Sequence, residues 1–215
     1  MKGQKLNKLA TQYLLDKDYD DALLNFTKAS ELGNFYATYN IACMYYFGDG
    51  VQKDDITSFK YFRKASQQGD REATNRMGVM LEKGIGVSEN KAAAADCYLK
   101  AAQNGSLSAM ANVAVCYLEG RGVSRNTDTG LSWMQKASQR GNGVASLALG
   151  EFYLKGKYVE KNIKIAISYL NRGIKQKYKP CAYLLSELYS KGEAVDYNPQ
   201  KADELKRLAD EMEEE

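Results

Sequence analysis

The stretch ATYNIACMYYFGDGVQKDDITSFKYFRKASQQG, residues 37–69, decides the fold because it returns. Thirty-six residues later, ATNRMGVMLEKGIGVSENKAAAADCYLKAAQNG at 73–105 repeats its skeleton without a gap. Working outward, the register holds from about residue 18 to the end. One column reads Ala29, Ala65, Ala101, Ala137, Gly173 and Ala209, and another Gly33, Gly69, Gly105 and Gly141, broken at Lys177. A third reads Gly48, Gly84, Gly120, Gly156 and Gly192, and a fourth Val51, Val87, Val123, Val159 and Val195. Self-similarity at this period is the signature of a repeat architecture.

The columns assign local structure. The Gly48 column suits a helix C-terminus, where a positive φ is needed. Six residues on come Asp54, Asn90, Asn126, Asn162 and Asn198, with Asp18 one period earlier; all are N-cap types. Asn34, Asp70, Ser106 and Asn142 form a second cap column. Each unit therefore carries two helices. In the first, Ala37, Ile41, Met44 and Tyr45 recur as Ala73, Met77, Met80 and Leu81, a helical stripe. In the second, the bulky Phe26, Phe62, Tyr98, Met134 and Leu170 lie three residues before the small Ala29 column, so large meets small where neighbours interdigitate. The spacing predicts twelve helices in six antiparallel pairs: 5–15, 19–32, 36–47, 55–68, 72–83, 91–104, 108–119, 127–140, 144–155, 163–176, 180–191 and 199–213.

Composition agrees. The 215 residues hold two prolines, which leaves long stretches for helices, and no histidine. Without histidine there is no Ser-His-Asp triad, Cys-His dyad or His-containing metal site. Thirty basic against 27 acidic residues do not suggest a nucleic-acid binder, and no apolar run suits a membrane span. Cys43, Cys97, Cys116 and Cys181 lack CxxC spacing and read as small buried thiols in a reducing compartment. The loops at Gly48-Asp49-Gly50 and Gly84-Ile85-Gly86 lack the strand, third glycine and Gly-Lys-Ser/Thr of nucleotide sites, so they read as structural turns.

The pattern from Ala37 to Gly69, with Gly48, Gly50, Val51, Asp54, Lys64 and Ala65 in register, resembles the Sel-1-like repeat (SLR), a relative of the tetratricopeptide repeat (TPR) with a longer loop inside the pair. The resemblance implies an all-α, right-handed α/α solenoid forming one domain over 1–215. Its units would be 3–35, 36–71, 72–107, 108–143, 144–179 and 180–215. The first lacks the glycine loop, and its Leu9, Ala10, Tyr13, Tyr19, Ala22, Phe26 and Ala29 look TPR-like. Some secreted SLR proteins staple each pair with cysteines; here the first staple position holds Ser30, Ser66, Ala102, Ser138 and Ile174, which supports a cytoplasmic reading.

Family resemblance also places ligands on the concave side lined by the first helices. The candidate partner-binding residues are Tyr36, Tyr39, Tyr46, Phe47, Asn75, Glu82, Leu118, Leu154 and Tyr183, with the aromatics of the first SLR unit as the strongest group. The expectation is a monomeric, cofactor-free, non-enzymatic scaffold or adaptor for a protein or peptide, not for nucleic acid or membrane. The alternative is a toxin-neutralising immunity protein. An enzyme working through Glu82, Glu119 and Glu151 is disfavoured, because solvent-open acids lack the burial that tunes pKa. Residues 136–179 hold ten Lys/Arg against Glu151 and Glu160, which reads first as a solvated face. The acids from Glu211 to the terminus oppose the helix dipole and predict a frayed end.

Overall fold

Cap chemistry sets the elements. The computed structural model describes residues 2–212 and builds them from helices alone: α1 (Lys2–Leu15), α2 (Tyr19–Glu31), α3 (Phe35–Phe47), α4 (Asp55–Gln67), α5 (Arg71–Lys83), α6 (Lys91–Gln103), α7 (Leu107–Glu119), α8 (Thr127–Gln139), α9 (Gly143–Lys155), α10 (Ile163–Lys175), α11 (Lys179–Lys191) and α12 (Pro199–Glu211). Every start but that of α1 lies within one residue of the expected position. The cap columns explain this accuracy. Asn34, Asp54, Asp70, Asn90, Asn126, Asn142, Asn162 and Asn198 each accept a backbone N–H two or three residues on. Ser106 receives the Ala109 N–H at 3.2 Å. Asp18 corrects the expectation: it stands at the cap position of α2 but accepts no capping bond. The expected fraying falls partly on residues 213–215, which lie outside the described residues.

The two helices of a pair end differently. In the pairs after α1–α2, the first helix stops at a left-handed glycine, as at Gly48 (φ 83°) and Gly84 (φ 67°). The loop then returns through one recurring bond: the N–H of Asp54, Asn90, Asn126, Asn162 and Asn198 donates to the carbonyl of Tyr45, Leu81, Tyr117, Tyr153 and Tyr189, at 2.8–3.0 Å. The second helix ends in a Schellman turn, where the N–H of Asn34, Asp70, Ser106, Asn142 and Tyr178 reaches the column residue Ala29, Ala65, Ala101, Ala137 and Gly173 at 3.0–3.1 Å. Lys177 holds the positive φ (58°) of this turn where its counterparts are glycine.

Contacts divide the described residues into two compact units. The first runs to Ala109 and includes Arg121–Val123; the second is Met110–Gly120 with the chain from Ser124 onward. In the first unit α1 pairs with α2, α3 with α4 and α5 with α6, while α2 packs on α3 and α4 on α5. In the second α9 pairs with α10 and α11 with α12, while α8 packs on α9 and α10 on α11. Pairing is antiparallel: Ser58 Oγ donates to the Ala42 carbonyl (2.9 Å) while Asp54 N bonds Tyr45. The small column is fully buried at Ala29, Ala65, Ala101, Ala137 and Ala209, and the bulky Phe26, Phe62, Tyr98, Met134 and Leu170 are buried as well.

Hydroxyl pairs follow the small column at three junctions. Ser30–Thr38 (2.8 Å), Ser66–Thr74 (2.7 Å) and Ser138–Ser146 (2.8 Å) tie α2 to α3, α4 to α5 and α8 to α9. No disulfide joins the cysteines. Cys116 and Cys181 are buried, but Cys43 and Cys97 are only half-buried, which corrects the expectation for those two. Burial pushes the Cys181 thiol up to about 12.

Candidate functional site

The first helices show which side chains each unit offers. On α3, Tyr36 and Phe47 are 60% and 62% exposed, and Asn40 and Cys43 are half-exposed between them. On α5 the corresponding residues are Glu72, Arg76, Val79 and Lys83. With about 3.6 residues per turn, positions 36, 40, 43 and 47 fall within an arc of about 60°. Positions 39 and 46 lie about 60–80° to one flank of that stripe, and there the neighbouring helices cover them.

The sequence-derived candidates separate accordingly. In the first unit Tyr36 and Phe47 are exposed, whereas Tyr39, Tyr46 and Glu82 are half-buried and Asn75 is buried. Tyr39 turns edge-on to Phe62 of α4, with centroids 5.3 Å apart. Tyr46 stands edge-on to Phe47 (5.0 Å) beneath the ammonium of Lys53. Glu82 accepts the Tyr98 hydroxyl (2.9 Å) on one oxygen and Arg121 (3.2 Å) on the other. It therefore ties a loop and a second helix to α5 and is not an open ligand. In the second unit Leu118 is buried, its side chain against Gly130, and so is withdrawn from the exposed set together with Asn75. Leu154 packs half-buried around Leu170 and Leu185. Tyr183 is exposed and donates its hydroxyl to Asp210.

Arg76 is a candidate that sequence reasoning passed over. It is exposed on the central stripe and interacts with the Tyr39 hydroxyl and the Cys43 thiol. The missed signal was the 4-3-4 spacing of 36, 40, 43 and 47, which marks a helical face more sharply than 36, 39, 43, 46 and 47. Around Arg76, the residues Cys43, Tyr46, Phe47, Phe62, Val79 and Met80 line a small, shallow cleft between α3 and α5. Burial raises the Tyr39 phenol and pushes the Cys43 thiol up to about 11, against a smaller opposing pull from Arg76. Both stay protonated near neutrality, so the thiol is a poor nucleophile. The cleft is a narrow, mostly apolar crease with one cation among its lining residues.

No group of three metal-ligating side chains is assembled among the described residues, and no helix there is long and apolar enough to cross a membrane. Glu151, one of the acids weighed for chemistry, pairs with Lys155 at 3.3 Å.

Comparison with known proteins follows the repeat. The model of the Sel1 repeat matches residues 7–34, 35–70, 71–106, 107–142, 143–178 and 179–202. The first match takes in the pair expected to be TPR-like. A Sel1 repeat protein from Oxalobacter formigenes is 26% identical, with a TM-score of 0.85 over 94% of this chain and 83% of its own. A protective antigen with an SLR fold from uropathogenic Escherichia coli is 27% identical, with a TM-score of 0.78; the match covers 97% of this chain and 46% of the antigen. An immunity protein from Pseudomonas aeruginosa shares the fold at 23% identity, with a TM-score of 0.65 over 95% of this chain and 80% of its own. No curated protein matches the chain.

Proposed function

The chain belongs to the Sel1 repeat family, and from that premise we propose that it is a non-enzymatic scaffold whose α3–α5 surface holds a protein partner. The family's fold is a protein-interaction scaffold. The observation that carries the reading is the exposure of Tyr36 and Phe47 on α3, with Phe47 and Arg76 lining the same cleft. Exposed aromatics and arginine are among the residue types that dominate binding hot spots. The cytoplasm is the proposed location, supported by hydroxyl pairs at the staple positions. A neutralising immunity protein would use the same surface on one toxin enzyme. Fold likeness alone does not select it; a toxin gene beside the gene for this chain would.

The test is quantitative affinity purification from the native host with a Tyr36→Ser, Phe47→Ser, Arg76→Glu variant. At least one protein retained by the wild type is expected to fall by more than about tenfold, since each hot-spot truncation costs about 1–3 kcal/mol. Circular dichroism should be unchanged, because all three side chains are exposed. A control variant at the exposed Lys60 and Arg63 of α4 should retain that protein. Identical profiles for the wild type and the triple variant would overturn the proposal.

A further inference from the structure

Within the second unit, one loop breaks the repeat rule at a residue the scaffold reading does not use. Gly50, Gly86 and Gly122 hold φ of 65–73° in the first three glycine loops, and Tyr158 holds the same conformation (φ 68°) in the fourth. A Cβ at Gly86 or Gly122 would fall 2.0 Å from the carbonyl oxygen of Asp55 or Lys91, at the start of the preceding second helix. Tyr158 carries a Cβ and a ring at that position, so its loop must stand off from the start of α8. Left-handed backbone is unfavourable for a residue with a side chain, and such strain gathers at functional sites.

The ring sits in a basic setting. Arg125 lies over it at 5.9 Å from the centroid and the Lys157 ammonium at 4.8 Å, while Phe152 meets it edge-on at 5.0 Å. Arg125, Lys157 and Lys161 are exposed, and Glu160 is the one acid between Gly156 and Asn162. In the basic stretch 136–179 Lys155 pairs with Glu151, while Lys136 and Arg172 lie over Trp133 and Tyr169. Among the described residues no carboxylate pairs with Arg125 or Lys157. The result is a net-positive cluster on two neighbouring loops, with an aromatic plate held between cations.

We propose that Arg125 and Lys157, which lie over Tyr158, together with Lys161 of the same loop as Tyr158, form a second binding site that recognises an acidic segment of a protein partner. The cations take its carboxylates, and the Tyr158 ring takes the stem of an intervening side chain. The site lies in the second unit and does not depend on the α3–α5 surface.

Fluorescence anisotropy on the full chain tests this with three probes: a labelled peptide alternating Glu and Leu, its Gln counterpart, and single-stranded DNA of equal charge. The Glu peptide is expected to bind at least about tenfold tighter than the Gln peptide and tighter than the DNA, with affinity falling as salt rises. Arg125→Glu with Lys157→Glu should weaken it by at least about tenfold. Tyr158→Gly should also weaken it, because it removes the ring under the two cations. Equal binding of the Glu and Gln peptides, DNA binding as tight as the Glu peptide, or unchanged affinity in these variants would overturn the proposal.

Discussion

Gly86→Ala is expected to destabilise the protein by about 2–5 kcal/mol, from two contributions. Left-handed backbone (φ 65°) costs a residue with a Cβ about 1–2 kcal/mol. The new Cβ would also lie 2.0 Å from the Asp55 carbonyl oxygen. That oxygen belongs to the start of α4 and cannot swing aside as a side-chain tip would, so the loop or the helix start must move, at a cost like that of overpacking, about 1–3 kcal/mol. Gly33→Ala is the nearest comparison. Its φ is also positive (81°), but a Cβ there meets nothing within 4 Å, so it should lose only the backbone part, about 1–2 kcal/mol. Repeat proteins need not unfold in one step. The readout is therefore the urea midpoint by circular dichroism, with hydrogen exchange at the first turn of α4. Equal shifts in the two variants would show that the close approach does not hold the loop.

Phe62→Ala should cost about 3–5 kcal/mol, the usual result of emptying a buried phenylalanine site, and should also disable the binding surface. Phe62 is 2% exposed, among Ala42, Ala65, Ala73 and Met80. It also lines the α3–α5 cleft and meets the edge of Tyr39. Its loss removes the wall that keeps Tyr39 and Tyr46 in place, so partner affinity should fall although Tyr36, Phe47 and Arg76 are untouched. Phe62→Leu refills most of the volume and should cost less than about 1.5 kcal/mol. The checks are the urea midpoint and the amount of partner captured, both measured where each variant is fully folded. Full partner affinity in folded Phe62→Ala would remove the cleft from the site.

The architecture was legible because its signals are local and repeated. Asn90, Asn126 and Asn162 cap the helices they were expected to cap, and Gly48, Gly84 and Gly156 end theirs in left-handed geometry. Asp18 misled because an N-cap residue type does not ensure the capping bond. The site was harder to orient. Helix α3, FYATYNIACMYYF, is apolar or aromatic on nearly every face, so its periodicity does not show which aromatics face out. Burial by α4 and α5 decides that: it takes Tyr39 and Tyr46 to the flank and leaves Tyr36 and Phe47 outside. Likewise Glu82 looked like an available acid until Tyr98 and Arg121, 16 and 39 residues on, were seen to fill both of its oxygens. Leu118 looked like an exposed apolar residue until Gly130 made room for it.

The central claim is that the α3–α5 stripe holds the partner, and site-specific photo-crosslinking tests it most directly. A photoreactive amino acid placed at position 36 or 76 is expected to trap the same protein in the native host. At position 60, on the exposed side of α4, it should not trap that protein. The same protein trapped from position 60 and from neither 36 nor 76 would contradict the account.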